Sequence, residues 1–208
     1  MEQYHSIDRE IVGSKQIYAF DKLDGSSMRA EWGRWKGRWG EFWKFGTRTQ
    51  MLDESSKEFG EVIPLIRGKY EEKLTEIFRK QQWEKATCFF EFWGPNSFAG
   101  MHQVEPHTVT LFDIKVFKRG FLLPREYLKL VGDLDIAKLL YVGNANEPFV
   151  QSVRDSTLAG MTEEGVVCKA SEYKTPGMPW MFKIKSQRWL NRLKDKCKGD
   201  EKLFDKLV

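Results

Sequence analysis

The spacing of hydrophobic and polar positions changes period several times along the chain, and each change marks an element. Residues 17–22 read as a short strand running into Leu23-Asp24-Gly25-Ser26-Ser27, whose Asp-Gly step and serines signal a turn. From 28 to 48, apolar and polar side chains alternate around Lys36-Gly37. This predicts a hairpin with Met28, Ala30 and Trp32 on one face and Arg29 and Glu31 on the other. The N-cap chemistry of Asp53-Glu54-Ser55-Ser56 predicts a helical stretch. A second helix should carry Pro64 in its first turn and Ile66, Tyr70, Leu74 and Ile77 along one stripe. Strand patterns return at 86–93 and 108–117, helical ones at 124–131 and 147–156. Two final strands at 165–170 and 179–185 precede an amphipathic basic helix over 188–198. Strands and helices mix without strict alternation, which predicts an α+β domain built on antiparallel sheet.

No repeat, low-complexity tract or linker divides the chain, so residues 1–208 read as one domain, with a core at 17–186 and a basic helical tail at 187–208. Its 208 residues suffice for one substantial hydrophobic core. With 41% hydrophobic and 31% charged residues and only 7 Pro, disordered, collagen-like and membrane compositions are excluded. No run approaches the roughly 20 apolar residues that span a bilayer, and the amino terminus lacks a secretory pattern. Cys88, Cys168 and Cys197 are odd in number and far apart, which argues against a disulfide framework and a zinc site and for a reducing, cytoplasmic setting. His5, His102 and His107 have no metal-ligand spacing with them and take no role.

Charge narrows the choice of partner. The formal total is +4, and the tail from residue 186 holds seven Lys or Arg against four Asp or Glu, so most of the excess is local. Any nucleic-acid contact should therefore be local too. Trp32, Trp35, Trp39 and Trp43 fall in the predicted hairpin, where six Lys or Arg face two Glu between residues 29 and 48. That mixture suits base stacking and phosphate pairing through Arg29, Arg34 and Arg38, although core packing would use the same tryptophans. The tail offers a second surface, with Arg188, Arg192, Lys196 and Trp189, or simply a solvated helix face.

Three short motifs carry the chemistry. Lys22-Leu23-Asp24-Gly25 sets a lysine at a strand end beside a carboxylate and a glycine that would let a phosphate approach the backbone. It fits a nucleophile site, and a surface turn as well. Glu164-Gly165-Val166-Val167-Cys168-Lys169 is rarer, since Glu-Gly-Val-x-x-Lys arises by chance in fewer than about 1% of such chains. Strand alternation would place Glu164, Val166 and Cys168 on one face and Val167 and Lys169 on the other. Lys183-Ile184-Lys185 would crowd two ammonium groups on one face, which is costly unless an anion lies between them.

Their order decides the reading. The Lys22 motif, then Phe89-Phe90-Glu91-Phe92-Trp93-Gly94, Leu111-Phe112-Asp113-Ile114, Glu164-Gly165-Val166 and Lys183-x-Lys185 resemble the motif set of the covalent nucleotidyltransferase superfamily: DNA ligases, RNA ligases and mRNA capping guanylyltransferases. The resemblance covers about residues 17–186. Glu91, Phe112-Asp113 and Asn146-Glu147-Pro148-Phe149-Val150 are most similar to phage-type, nick-sealing RNA ligases. The resemblance implies an antiparallel-sheet, ATP-grasp-like adenylation domain that holds its nucleotide between sheets. Only 23 residues follow Lys185, too few for an OB-fold or other carboxy-terminal domain.

The same resemblance implies roles. Lys22 would attack the α-phosphate of ATP within a nucleotide site that includes Asp21, Leu23, Asp24 and Gly25. Arg48 would hold nucleotide or end-phosphate oxygens, Glu91 the ribose hydroxyl, and Phe112 would stack on the purine. Glu164 would bind Mg²⁺ or Mn²⁺, and Lys183 and Lys185 the phosphates. The partner would be RNA or DNA with 5′-phosphate and 3′-hydroxyl ends, met by a monomer in the cytoplasm, the host's if the chain is phage-encoded. DNA joining, capping with GTP, and a binding module that keeps the fold without the chemistry stay open. Ser27 departs from the family pattern, which has Asn or Arg there, with Arg29 two residues on. An ordinary lysine pKa of about 10.4 makes a poor nucleophile, so the site is expected to favour neutral Lys22 through nearby cations.

Overall fold

The computed structural model describes the chain except residues 2, 8–9, 12–14, 36–37, 58, 96–103 and 208, and except the side chains of 34, 35, 38, 39 and 206. Among the described residues, ten strands form two antiparallel sheets. Sheet A has the order β10-β9-β1-β8, from β1 (Gln16–Asp21), β8 (Leu139–Asn144), β9 (Gly165–Thr175) and β10 (Met178–Lys185). Sheet B has the order β4-β3-β2-β5-β6-β7, from β2 (Ser26–Trp35), β3 (Arg38–Thr47), β4 (Met51–Leu52), β5 (Lys85–Trp93), β6 (Thr108–Val116) and β7 (Gly120–Phe121).

Alternation sets the two faces of each sheet. On sheet B, Met28, Ala30, Trp32, Cys88 and Phe90 turn to one side and meet a helix of two segments, α1 (Val62–Ile66) and α2 (Glu72–Lys80), joined through a π-helical turn at Arg67–Glu71. Ile66, Tyr70, Leu74 and Phe78 are all buried. A strict four-residue spacing drifts by about 40° per step on an α-helix, and the wider π turn absorbs part of that drift and keeps the stripe on the sheet. On sheet A, Ile17, Ala19, Val166, Cys168 and Phe182 face outward and are covered by α4 (Glu147–Arg154), whose first turn is capped by Asn146 accepting from the Phe149 N–H at 3.1 Å. The opposite faces, with Phe20, Val167 and Lys169 on one sheet and Phe89, Glu91 and Asp113 on the other, leave a cleft between the sheets. Helix α3 (Pro124–Val131) packs near the cleft through Tyr127, and α5 (Gln187–Lys196) and α6 (Glu201–Leu207) pack on each other through Trp189, Leu193, Cys197 and Phe204.

Several sequence expectations change here. Residues 53–56 form no helix: Asp53 closes a turn, its Oδ1 accepting from the Ser55 N–H and hydroxyl. The same capping chemistry serves turns, and no apolar stripe follows it directly. Trp32 is core, 1% exposed, edge-on to Phe78 with its indole N–H donated to Thr75 at 2.9 Å. Trp43 is half-buried under Lys44, and the Trp35 and Trp39 side chains lie outside the described residues. All three cysteines are free and buried. Among the described residues no helix is long and apolar enough to cross a membrane.

Candidate active site

Strand β1 delivers Lys22 to the cleft. The strand ends at Asp21, and the Lys22 N–H is fixed by the Gly165 carbonyl at 3.0 Å, so its side chain emerges beside the residue that precedes β9. There Lys22 Nζ donates to Glu164 Oε2 at 2.8 Å, while Lys185 Nζ lies 3.0 Å from Glu164 Oε1. Glu164 is 4% exposed. One buried carboxylate thus joins Lys22, just past the end of β1, to Lys185 at the end of β10.

Alternation alone would have sent Glu164 toward Val166 and the outer core. Gly165 breaks it: its φ of 132° lies where side chains are strained, and a Cβ there would run into the Ile184 carbonyl of β10. Glycine lets β9 start tight against β10 and turns Glu164 back into the cleft. Gly25 also permits a close approach by the Phe92 carbonyl of β5, and its N–H donates to Glu91.

The protein's own groups favour the charged form of Lys22. Burial works against the Lys22 ammonium, yet Glu164, Glu91 and Asp24 outweigh it and hold the pKa above the ordinary lysine value. Lys22 is thereby held as an ammonium, with the buried Glu164 carboxylate that it shares with Lys185 the strongest influence in that direction. Glu91 is pushed up to about 8, by burial first and then by Glu164 and Asp24, with Lys22 pulling the other way. It is mostly a neutral carboxyl at neutral pH. Burial also raises Asp21, whose Oδ1 accepts from the Thr162 N–H at 2.9 Å and from its hydroxyl, pinning the loop ahead of Glu164.

Lys22, Leu23, Glu91, Phe112 and Val167 line a cavity of about 140 Å³ between the sheets. Phe112 and Val167 come from opposite sheets, as the two walls of a slot for a flat ring would. Behind Phe112, Lys169 joins the sheets: its Nζ lies 2.9 Å from Asp113 Oδ2 and donates to the Phe112 carbonyl at 2.8 Å. Sequence reasoning missed Tyr4 and Ile7, which line the same cavity. Tyr4 donates to Asp113 at 2.8 Å and packs edge-on to Phe112. Nothing in an irregular amino-terminal segment signals this, since it has no period to read.

The remaining candidates lie further out. Lys183 is half-buried on β10 opposite Val167. Arg48 is exposed in the turn after β3 and donates to Ser6 at 3.1 Å. Arg29 is 5% exposed and donates to the Met1 carbonyl at 3.2 Å, so it is no open nucleic-acid contact. The side chains of Arg34 and Arg38 lie outside the described residues. Arg188 pairs with Glu163 at 3.3 Å, and Arg192 is half-buried on α5. Trp189 is 4% exposed with Lys185 Nζ 3.8 Å from its ring centroid, so it supports the site from beneath and presents no stacking surface.

Among the described residues no three His, Cys, Asp or Glu side chains cluster closely enough to hold a metal by themselves. Glu164 offers one hard oxygen donor group. This fits Mg²⁺ or Mn²⁺, which commonly take one or two carboxylates and complete their shell with substrate phosphates and water.

No family model matches the sequence, and a search of curated proteins finds no match. The fold does have solved counterparts. The structure is similar to a Naegleria gruberi RNA ligase variant with AMP and Mn, at TM-score 0.68 and 18% identity over 94% of this chain and 59% of that one. The same ligase with PPi aligns at 0.67 and 20% identity, over 94% and 58%. A further variant with ATP and Mn aligns at 0.64 and 20%, over 88% and 53%. This chain thus shares the fold of these RNA ligase structures and spans under two-thirds of the length of those chains.

Proposed function

We propose that this chain is an ATP-dependent polynucleotide ligase, RNA-joining in type, that works through AMP carried on Lys22. The observation that carries the reading is the Lys22–Glu164–Lys185 bridge at a cavity walled by Phe112 and Val167. Solved structures of the same fold hold AMP, ATP and PPi. Nucleotidyl transfer asks a protein for positioning and charge neutralisation, and these residues provide both.

In the first step Lys22 Nζ attacks the α-phosphorus. A P–N bond forms, the bond from that phosphorus to the bridging oxygen breaks, and pyrophosphate leaves with the electron pair. Nζ must first lose a proton to solvent, which the Glu164 carboxylate beside it resists. Engaging Glu164 elsewhere weakens that hold, and a divalent cation on this carboxylate would do so while neutralising triphosphate charge. Lys185, and Lys183 two residues before it, supply positive charge for the departing pyrophosphate. Phe112 and Val167 hold the base, and Glu91 reaches the ribose hydroxyls. AMP then passes to a 5′-phosphate, and attack by a 3′-hydroxyl seals the ends and frees AMP.

Incubation with α-labelled ATP or GTP and Mg²⁺ tests this. A covalent adduct is expected from ATP, lost in Lys22→Ala and in Glu164→Ala. Labelling by GTP alone would point to capping, and no adduct with any nucleotide would sink the enzyme reading and leave a binding module. Sealing of nicked RNA, nicked DNA and single strands then identifies the substrate.

A further inference from the structure

Away from Lys22 lies a second, wider groove of about 830 Å³, lined by Lys85, Lys115, Phe117, Lys118, Arg119 and the Pro176 turn among others. Lys85 begins β5 and Glu91, at the first cavity, lies six residues along it, about 20 Å at strand rise. The two sites share no lining residue, and the packed Phe89, Phe121 and Met181 lie between them.

The groove is built rather than incidental. The turn between β6 and β7 carries Lys118 at a φ of 62° and Gly120 at 99°, and it locks onto the turn between β9 and β10. The Phe121 N–H donates to the Gly177 carbonyl at 2.8 Å, and Gly120 and Gly177 approach so closely that a Cβ on Gly120 would overlap Gly177. These turns hold Phe117 with 50% of its surface exposed.

Charge in the groove is one-sided. Glu31 is the only acid among the described lining residues; its side chain is 2% exposed and bonded to Lys85 at 2.9 Å. Arg119 pairs with Glu126, outside the groove. Lys118 forms no ion pair with a described residue, and its Nζ sits 5.1 Å from the Phe117 ring centroid. Lys115 Nζ lies 5.5 Å from the Phe121 ring. The exposed Phe117 ring has the Lys85 and Lys118 ammonium groups near it, which suits a stacked base, and Lys115 elsewhere in the lining adds positive charge for its phosphates.

From this we infer that the groove binds a single-stranded stretch of polynucleotide flanking the end to be joined, with a base on Phe117 and phosphates on Lys115 and Lys118. The inference rests on the proposed function for its choice of polyanion, and a flat stacking face favours nucleic acid over an acidic protein. It gives the domain a grip on its substrate that neither the tryptophan hairpin nor the tail helix was shown to offer.

Fluorescence anisotropy with a labelled single-stranded RNA, between 50 and 200 mM salt, tests it beside covalent labelling of Lys22 by ATP. The double variant Lys115→Glu and Lys118→Glu should weaken binding at least about tenfold. It should also make the log–log salt slope shallower by about 0.7 per lost phosphate contact. Phe117→Ala should weaken binding with the slope kept. Lys22 labelling should be unchanged in all of them. Unaltered affinity and slope in both variants would overturn the assignment, as would loss of binding together with loss of labelling, or competition by polyglutamate equal to that by RNA. A wild-type protein that binds RNA in this pattern without labelling would uphold the groove and reject the nucleotidyl-transfer reading. One that labels without binding RNA would do the reverse.

Discussion

At Glu91 a single side chain couples the site to pH. Its carboxyl is near 4.5 in the unfolded chain and about 8 in the folded protein, chiefly through burial. The folded state therefore binds this proton more tightly than the unfolded state. The stabilisation is complete below about 4.5 and is lost as pH rises through about 8. Asp21, also raised by burial, acts in the same direction. Thermal unfolding followed from pH 5 to 9 should show Tm falling across this range in the wild type. The fall should be smaller in Glu91→Gln, and an identical profile would refute the assignment of the titration to Glu91. Lys22 and Glu91 were both legible as chemistry in the sequence. Their protonation was not, because it depends on carboxylates brought from β5 and the loop before β9, up to 142 residues away.

Among the elements, β9 with the loop before it does the most to shape the site. Its strand period is plain in the sequence, and the faces of Val166, Val167, Cys168 and Lys169 come out as the alternation predicts. Glu164 does not, since Gly165 reverses the chain one residue earlier. Gly165→Ala should therefore lose stability, by about 1–3 kcal/mol from backbone strain and the clash with β10. It should also lose Lys22 labelling by much more than the stability change explains, as Glu164 leaves its partner. Chemical denaturation beside the labelling assay separates the two; labelling at the wild-type rate would sink this role for the glycine. The reverse error occurs at residues 53–56, where good N-cap residues close a turn. Capping chemistry is local, and a helix needs a buried stripe as well. Strand β8 and the short edge strands β4 and β7 escaped notice because few or no core-facing residues mark them.

Over the whole molecule, the Asp113–Lys169 pair holds sheet against sheet directly behind Phe112, with side chains 1% and 4% exposed. Breaking one partner strands a buried charge, so Asp113→Leu should cost about 3–5 kcal/mol and widen the cavity beside Phe112. Adding Lys169→Met should restore part of that stability, which urea unfolding of single and double variants would measure. A double variant no more stable than the single one would show that the pair does not bridge the sheets. By itself the sequence determined the α+β class, most strand and helix periods and the candidate residues of the site, because period and motif are local properties written in neighbouring positions. Tertiary structure alone decided which groups meet: Glu164 between Lys22 and Lys185, Tyr4 against Phe112, Trp32 and Trp189 in packing instead of on a binding face, and a basic groove made from two turns about 60 residues apart. Each of these depends on sheet register and burial between distant segments, and no short window of sequence contains that.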